Sequence, residues 1–169
     1  MKTVEQLLRD RIGLDAATLG GSTVERTVRL RMKALRLERV GEYQALLARS
    51  TAEWTRLVEA VVVPETWFFR DGRPFGALAQ LALAARSSDE SAAPLRLLSV
   101  PCSSGEEPFS LAMALLDTGL EPARFHIDAA DISRRALAAA RRAVYRRNSF
   151  RGGDLGYRDR HFQPMKEGY

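Results

Sequence analysis

Residues 95–117 read LRLLSVPCSSGEEPFSLAMALLD. A short apolar run leads into a turn of small residues with one glycine, and two glutamates and a proline then open an apolar segment of helical spacing. An apolar run of strand length followed at once by a helix start is the first half of an α/β unit. The chain then repeats the pattern: FHIDAAD (125–131) is a second short strand and SRRALAAARRAVY (133–145) a second helix. This order predicts the first βαβα part of a parallel α/β sheet. From Asn148 the chain is Gly-rich and polar, and NSFRGGDLGYRDRHFQPMKEGY (148–169) offers no third strand. Parallel sheets are ordinarily covered and extended, so two strands make an incomplete sheet. Such a sheet calls for further chain, for a partner or symmetry-related copy on its open edge, or for cover from the helical part of the protein.

Upstream of this unit the pattern is helical. Val4, Leu7, Leu8 and Ile12 have helical spacing, Gly20 and Gly21 interrupt it, and Ser22 or Thr23 starts a long second helix over about 24–38. GEYQALLARS (41–50) and TAEWTRLVEAVVV (51–63) are two shorter amphipathic helices. Pro64 ends the last of them, since proline removes a backbone donor and biases the preceding residue away from helix. ETWFFRDGRPF (65–75) is a loop or short helical turn rich in aromatics, residues 75–85 return to helix, and RSSDESAAP (86–94) is a polar surface connector. The expected organisation is an N-terminal all-α domain over 1–63, a linker and helix carrying the TWFFR block over 64–93, and the α/β part over 94–169.

The whole chain has 169 residues, enough for a sizeable core, with an ordinary soluble composition and a net charge of +5. That excess predicts attraction to an anionic partner. The lone Cys102 excludes an intrachain disulfide or a multi-cysteine zinc site and suits a reducing cytoplasm. No signal peptide is visible, and no window approaches the roughly 18 apolar residues of a membrane span. The expectation is a cytoplasmic protein without membrane insertion.

Ligands of open α/β sheets collect at the carboxyl ends of the strands, which places Glu106, Glu107 and Asp131 around one crevice. A phosphate loop would offer several glycines and free amides; here Gly105 stands alone and two carboxylates occupy the first helical turn. Acidic residues are favoured there by the helix dipole, with Ser103 or Ser104 as N-cap. The same acids would also suit a cationic or hydroxyl-bearing ligand. Asp131 lies 26 residues after Gly105, near the spacing of about 20 at which an acid meets ribose hydroxyls. S-adenosylmethionine fits both demands, having a ribose, a cationic amino-acid end and no phosphate. A hydrolytic dyad is disfavoured, because adjacent helix residues point about 100° apart.

TWFFRD (66–71) with Pro74-Phe75, then LRLLSVPCSSGEEPFSLAMALLD, then FHIDAADISRRALAAARRAVY resemble, in order, the blocks of the chemotaxis-receptor glutamate O-methyltransferases, the CheR family. PETWFFRD further resembles the tetratricopeptide-linked branch, including the methyltransferases of Wsp-type surface-sensing systems that act in biofilm formation. The resemblance spans nearly the whole chain. It implies a helical domain packed on a Rossmann-like methyltransferase domain that transfers methyl groups from S-adenosylmethionine to receptor glutamates, releasing S-adenosylhomocysteine. Thr66 and Arg70 match cofactor-contacting positions, with Arg70 near the reaction centre. Glu107 matches the cofactor-binding glutamate and Glu106 a helix-start partner. Asp131 matches the acid ending the second strand, Ile132 would pack near the adenine, and Gly105 lies in the turn the cofactor approaches. Pro64 replaces an asparagine found in many members, and the later Asn-Leu-Leu and Arg-Asn-Val-type blocks, with a pocket tyrosine, do not occur here.

Arg70, Asp71 and Arg73 sit at the expected mouth of the site, where Arg70 could hold a carboxylate bidentately or make a structural salt bridge. Trp67, Phe68 and Phe69 could stack on adenine or pack in a core. Arg26, Arg29, Lys33 and Arg36 fall on one helical stripe about 80° wide, opposite Val24, Val28, Met32 and Leu35. A solvated basic face explains such a run, as does docking of acidic receptor helices, near which the resemblance places this helix. A second basic cluster, from Arg134 to Arg151, raises nucleic-acid binding. No nucleic-acid module appears and the arginines interleave with alanines, so no nucleic-acid partner is expected. His126 and His161 suggest no metal site. The alternative to an enzyme is a non-catalytic module that docks receptors or a partner.

Overall fold

The computed structural model describes residues 2–19, 22–62, 65–86, 93–152 and 155–169. Gly20 and Gly21, Val63 and Pro64 and most of the polar connector (87–92) lie outside the described residues; the helix expected over 51–63 ends earlier, at Val61, with Val62 already extended. Two compact units form, Met1–Val63 and Pro64–Tyr169.

The first unit consists of α1 (Val4–Ile12), α2 (Ser22–Ala34), α3 (Val40–Arg49) and α4 (Thr51–Val61). α1 begins in a capping box: the Gln6 amide donates to Thr3 Oγ1 at 3.2 Å and the Thr3 amide to Gln6 Oε1 at 2.9 Å. It ends on Gly13 in the left-handed region, φ 68°. Leu8, Val24, Val28, Met32, Leu47, Leu57 and Val61 close an apolar core around Tyr43. The Tyr43 hydroxyl donates to Glu53 Oε1 at 3.0 Å, and Arg31 grips both Glu53 oxygens at 2.9 and 2.7 Å. Glu53 is only 2% exposed, so this bidentate pair is what makes a buried carboxylate tolerable.

The apolar periodicity predicts α2 to residue 38, but the helix stops at Ala34. The Leu37 amide donates to the Met32 carbonyl at 2.9 Å and the Arg36 amide to the Lys33 carbonyl at 3.1 Å, with Arg36 at φ 56°. This is a Schellman end, in which Leu37 folds back onto the core beside Met32. The basic stripe is corrected accordingly. Arg26, Arg29 and Lys33 share an exposed helix face with Leu30, which is 61% exposed, while Arg36 leaves the stripe because its backbone turns away.

The second unit contains α5 (Arg73–Arg86), β1 (Leu95–Ser99), α6 (Glu106–Asp117), β2 (Phe125–Ala129), α7 (Arg134–Arg142) and α8 (Gly156–His161). β1 and β2 pair in parallel with Leu95 opposite Phe125 and Ser99 opposite Ala129. Arg96, Leu98, His126 and Asp128 share one exposed sheet face, where Arg96 meets Asp128 at 2.8 Å. No third strand occurs among the described residues.

The segment after Asn148, polar by composition, builds the unit's aromatic core. Phe150, Tyr157, Phe162 and Tyr169 gather around Phe68 and Tyr145, and Phe68 is 1% exposed. Tyr145 and Tyr169 exchange backbone hydrogen bonds at 2.7 and 2.9 Å, which folds the end of the chain back onto the loop after α7. Phe68 and Phe69 are therefore packing residues. Trp67 is half-buried and lies outside this cluster.

Candidate functional site

The crevice forms where the loops following β1 and β2 meet. The Ala130 amide donates to the Ser99 carbonyl at 3.0 Å and the Cys102 amide to the Ala130 carbonyl at 2.9 Å, so the two loops are stitched by backbone bonds. Asp131 adds to the seam: Oδ2 accepts from the Ser103 amide at 2.7 Å and Oδ1 from the Ser133 amide at 2.8 Å. Ser133 in turn caps α7 by accepting from the Ala136 amide at 3.0 Å. Each Asp131 oxygen keeps a second lone pair for a ligand hydroxyl.

The turn makes no phosphate cradle. Its amides at Cys102 and Ser103 are spent on the second loop, and that of Gly105 donates to the Cys102 carbonyl at 2.9 Å. An anion would find few free donors along it.

The N-cap of α6 is Gly105, at φ 98° and without a side-chain cap bond, rather than Ser103 or Ser104. Ser104 instead donates its hydroxyl to Glu106 Oε2 at 2.7 Å. Glycine is demanded here on two counts. The positive φ disfavours any side chain, and a Cβ would lie 2.7 Å from the Tyr145 hydroxyl oxygen and 2.9 Å from Ala140 Cβ. Gly105 thus lets α7 and Tyr145 close against the turn.

The adjacent glutamates part company. Glu106 is 2% exposed and takes Ser104 on one oxygen and the Ser149 hydroxyl on the other at 2.8 Å. Its carboxylate is a structural tie to the loop before Phe150. Glu107 is exposed and, among the described residues, accepts the hydroxyl of the fully buried Ser99, at 2.7 Å on Oε1, which holds it over the end of β1. Burial pushes the Cys102 thiol above its ordinary value, and the charges of Asp131 and Glu107 add to this. The crevice is therefore electronegative, and Cys102 stays a neutral thiol unsuited to attack. Burial, with the Glu106 charge nearby, raises the Tyr145 phenol as well.

The TWFFR block is bolted to the same helix start. The Phe69 amide donates to Ser110 Oγ at 2.9 Å, Ser110 donates to the Glu106 carbonyl at 2.7 Å, and the Phe68 amide donates to the Ser149 carbonyl at 2.9 Å. Thr66 is half-buried ahead of it. Arg70 is half-exposed, donates to the Glu65 carbonyl at 2.6 Å and lies 4.7 Å over the Trp67 ring. Ile132, 49% exposed, follows Asp131 in the second loop. Asp131 and Glu107 both act on Cys102, and the TWFFR block is tied to α6 one turn beyond Glu107. An apolar groove of about 440 Å³, lined by Phe109, Phe125, Ile127 and Leu137, runs between α6, β2 and α7 and contains none of these acids.

Sequence reasoning did not single out Ser99, Ser110, Tyr145 or Ser149. The bonds that tie them into the site, Ser99 to Glu107, Ser110 to the Phe69 amide, Tyr145 to Ser104 and Ser149 to Glu106, span 8 to 43 residues, so no local spacing marks them.

These features define a class: an all-α unit followed by an α/β unit with an acid-lined crevice at its strand ends. Residues 64–169 match the CheR methyltransferase, SAM binding domain, and residues 1–62 the CheR methyltransferase, all-alpha domain. The chain belongs to the CheR methyltransferase family. The probable biofilm formation methyltransferases WspC of Pseudomonas aeruginosa and Pseudomonas putida are 52% and 49% identical to it, over 98% and 97% of this chain and 39% of each relative. The chemotaxis protein methyltransferase of Salmonella typhimurium is 34% identical over 83% of this chain and 48% of its own length. The chain thus spans less than half the length of these relatives.

Proposed function

We propose that the full-length protein transfers methyl groups from S-adenosylmethionine to glutamate side chains of chemoreceptor helices in a Wsp-type chemosensory pathway. The observation that carries this reading is the pairing of an electronegative crevice with a turn three of whose amides, at Cys102, Ser103 and Gly105, are spent, which suits a cationic, ribose-bearing, phosphate-free cofactor. Bound there, S-adenosylmethionine supplies an electrophilic methyl group and leaves as S-adenosylhomocysteine. Asp131 holds the ribose hydroxyls through its remaining lone pairs, Glu107 the cationic amino end, and Ile132 an edge of the adenine. Thr66 and Arg70 close the reacting end, and Gly105 keeps the turn slim. Sulfonium and carboxylate charges both diminish in the transition state, so alignment and exclusion of water are the devices this site must provide. The exposed Arg26, Arg29 and Lys33, with Leu30 among them, suit an acidic amphipathic receptor helix.

Calorimetry of the full-length protein with S-adenosylhomocysteine tests the cofactor assignment. Asp131→Ala and Glu107→Gln should each weaken binding by about 10-fold or more, the size of a lost charge-assisted hydrogen bond. Glu107 is exposed, so its variant folds. Unchanged affinity in both variants removes the assignment.

A further inference from the structure

Two guanidinium groups converge on one indole. Arg70 Cζ lies 4.7 Å and Arg151 Cζ 5.5 Å from the centre of the Trp67 ring. They reach it from opposite ends of the unit's sequence, and the meeting is built rather than incidental. The backbone just before Arg151 is pinned by Ser149, whose carbonyl accepts the Phe68 amide and whose hydroxyl holds Glu106, and by Phe150, which is 7% exposed in the aromatic core. The cation–π contact then fixes the side chain itself.

Arg70 pairs only loosely with Asp71, at 3.9 Å and 81% exposed, and donates to the Glu65 carbonyl, and exposed Arg151 has no carboxylate partner among the described residues. Two ordered, like-charged guanidiniums beside one ring form a receptor for carboxylates. The acceptor carboxylate can use one of them at most. It loses its charge as the ester forms, so a second arginine gripping it would stabilise the reactant more than the transition state. A neighbouring carboxylate on the substrate keeps its charge throughout and suffers no such conflict.

We propose that Arg151 is a specificity-determining residue that, beside Arg70 on the Trp67 ring, holds a second carboxylate of the acidic peptide presenting the acceptor glutamate. This rests on the methyl-transfer reading above. It makes Arg151 a source of substrate affinity rather than of turnover.

The test uses full-length protein and synthetic amphipathic helices bearing one Glu acceptor and, one turn away, either Glu or Gln. Arg151→Ala should raise KM for the Glu-flanked helix about five- to tenfold with a much smaller change in kcat, and this effect should shrink to within about twofold on the Gln-flanked helix. Arg151→Lys should recover part of the loss, since it keeps the charge but not the planar stack. Equal KM changes on both helices, or weaker S-adenosylhomocysteine binding in Arg151→Ala, overturn the proposal. If the wild-type protein methylates neither helix, the methyl-transfer reading fails. Direct titration of fluorescently labelled helices, followed by anisotropy, then decides Arg151 alone: a flank-dependent loss of affinity in Arg151→Ala supports the carboxylate site, and its absence refutes it.

Discussion

Gly105→Ala separates what the turn does for the fold from what it does for a ligand. The backbone there sits at φ 98°, and a methyl group would lie 2.7 Å from the Tyr145 hydroxyl oxygen, 2.9 Å from Ala140 Cβ and 3.2 Å from Ala140 Cα. Placing an L side chain in the left-handed region costs about 1–2 kcal/mol, and overpacking against a neighbouring helix backbone about 1–3 kcal/mol more. The expected destabilisation is about 2–5 kcal/mol. The Tyr145 hydroxyl, which donates to the Ser104 carbonyl at 2.7 Å, must move and lose that bond. Scanning calorimetry of the full-length protein reads the effect in the transition that S-adenosylhomocysteine shifts upward, and its Tm should fall by roughly 5–20 °C. Tyr145→Phe removes the nearest obstructing atom, so the double variant should be less destabilised than the sum of the singles by at least about 0.5 kcal/mol. Affinity for S-adenosylhomocysteine, measured where both proteins are folded, should change far less than stability. A loss below about 1 kcal/mol, or strict additivity with Tyr145→Phe, would refute the packing account of this glycine.

The buried pair of the helical unit makes a pH-dependent contribution. Burial pushes the Glu53 carboxyl up, but the hydrogen bonds from Arg31 and Tyr43 and the nearby Arg31 and Arg56 charges more than reverse this and leave it below its ordinary value. A carboxyl depressed on folding contributes stability that is full above its unfolded pKa and is lost as pH falls through its folded pKa. Acid titration of stability should therefore show a loss that begins in the ordinary carboxylate range and is completed only below it, and that is absent in Glu53→Ala, a variant expected to cost about 3–5 kcal/mol at neutral pH by stranding Arg31 and the Tyr43 hydroxyl. Equal acid profiles for the two proteins refute this assignment. For receptor docking, Arg26→Glu with Lys33→Glu should weaken salt-sensitive binding of acidic receptor helices without altering S-adenosylhomocysteine affinity. Arg36→Glu, off the stripe, should do so less, and equal effects at the three positions would count against a helix-face dock.

The strand-turn-helix pattern of residues 95–117 and its repeat were enough to place β1, α6, β2 and α7, because alternation, helical spacing and capping are local properties of the chain. The acids of the crevice were legible for the same reason: strand ends and helix starts are fixed by neighbours in sequence. Residue type and spacing alone did not separate the roles of the two glutamates; the family resemblance did, giving Glu107 to the cofactor and Glu106 to the helix start. Glu106 and Glu107 are identical and adjacent, and only the tertiary fold gives one to Ser104 and Ser149 as a buried tie and leaves the other facing outward over Ser99. The helix end at Ala34 escaped periodicity because a Schellman turn on a non-glycine residue leaves no residue signature. The aromatic core drawn from 148–169 escaped composition because its rings are spaced irregularly along a polar segment and Phe150, Tyr157 and Phe162 meet Phe68 from 82 to 94 residues away. Local sequence thus determined the elements and the chemistry available at their ends. Long-range packing decided which of those groups are buried in holding the fold, as Glu106 is, and which, like Glu107 and Arg151, stand exposed.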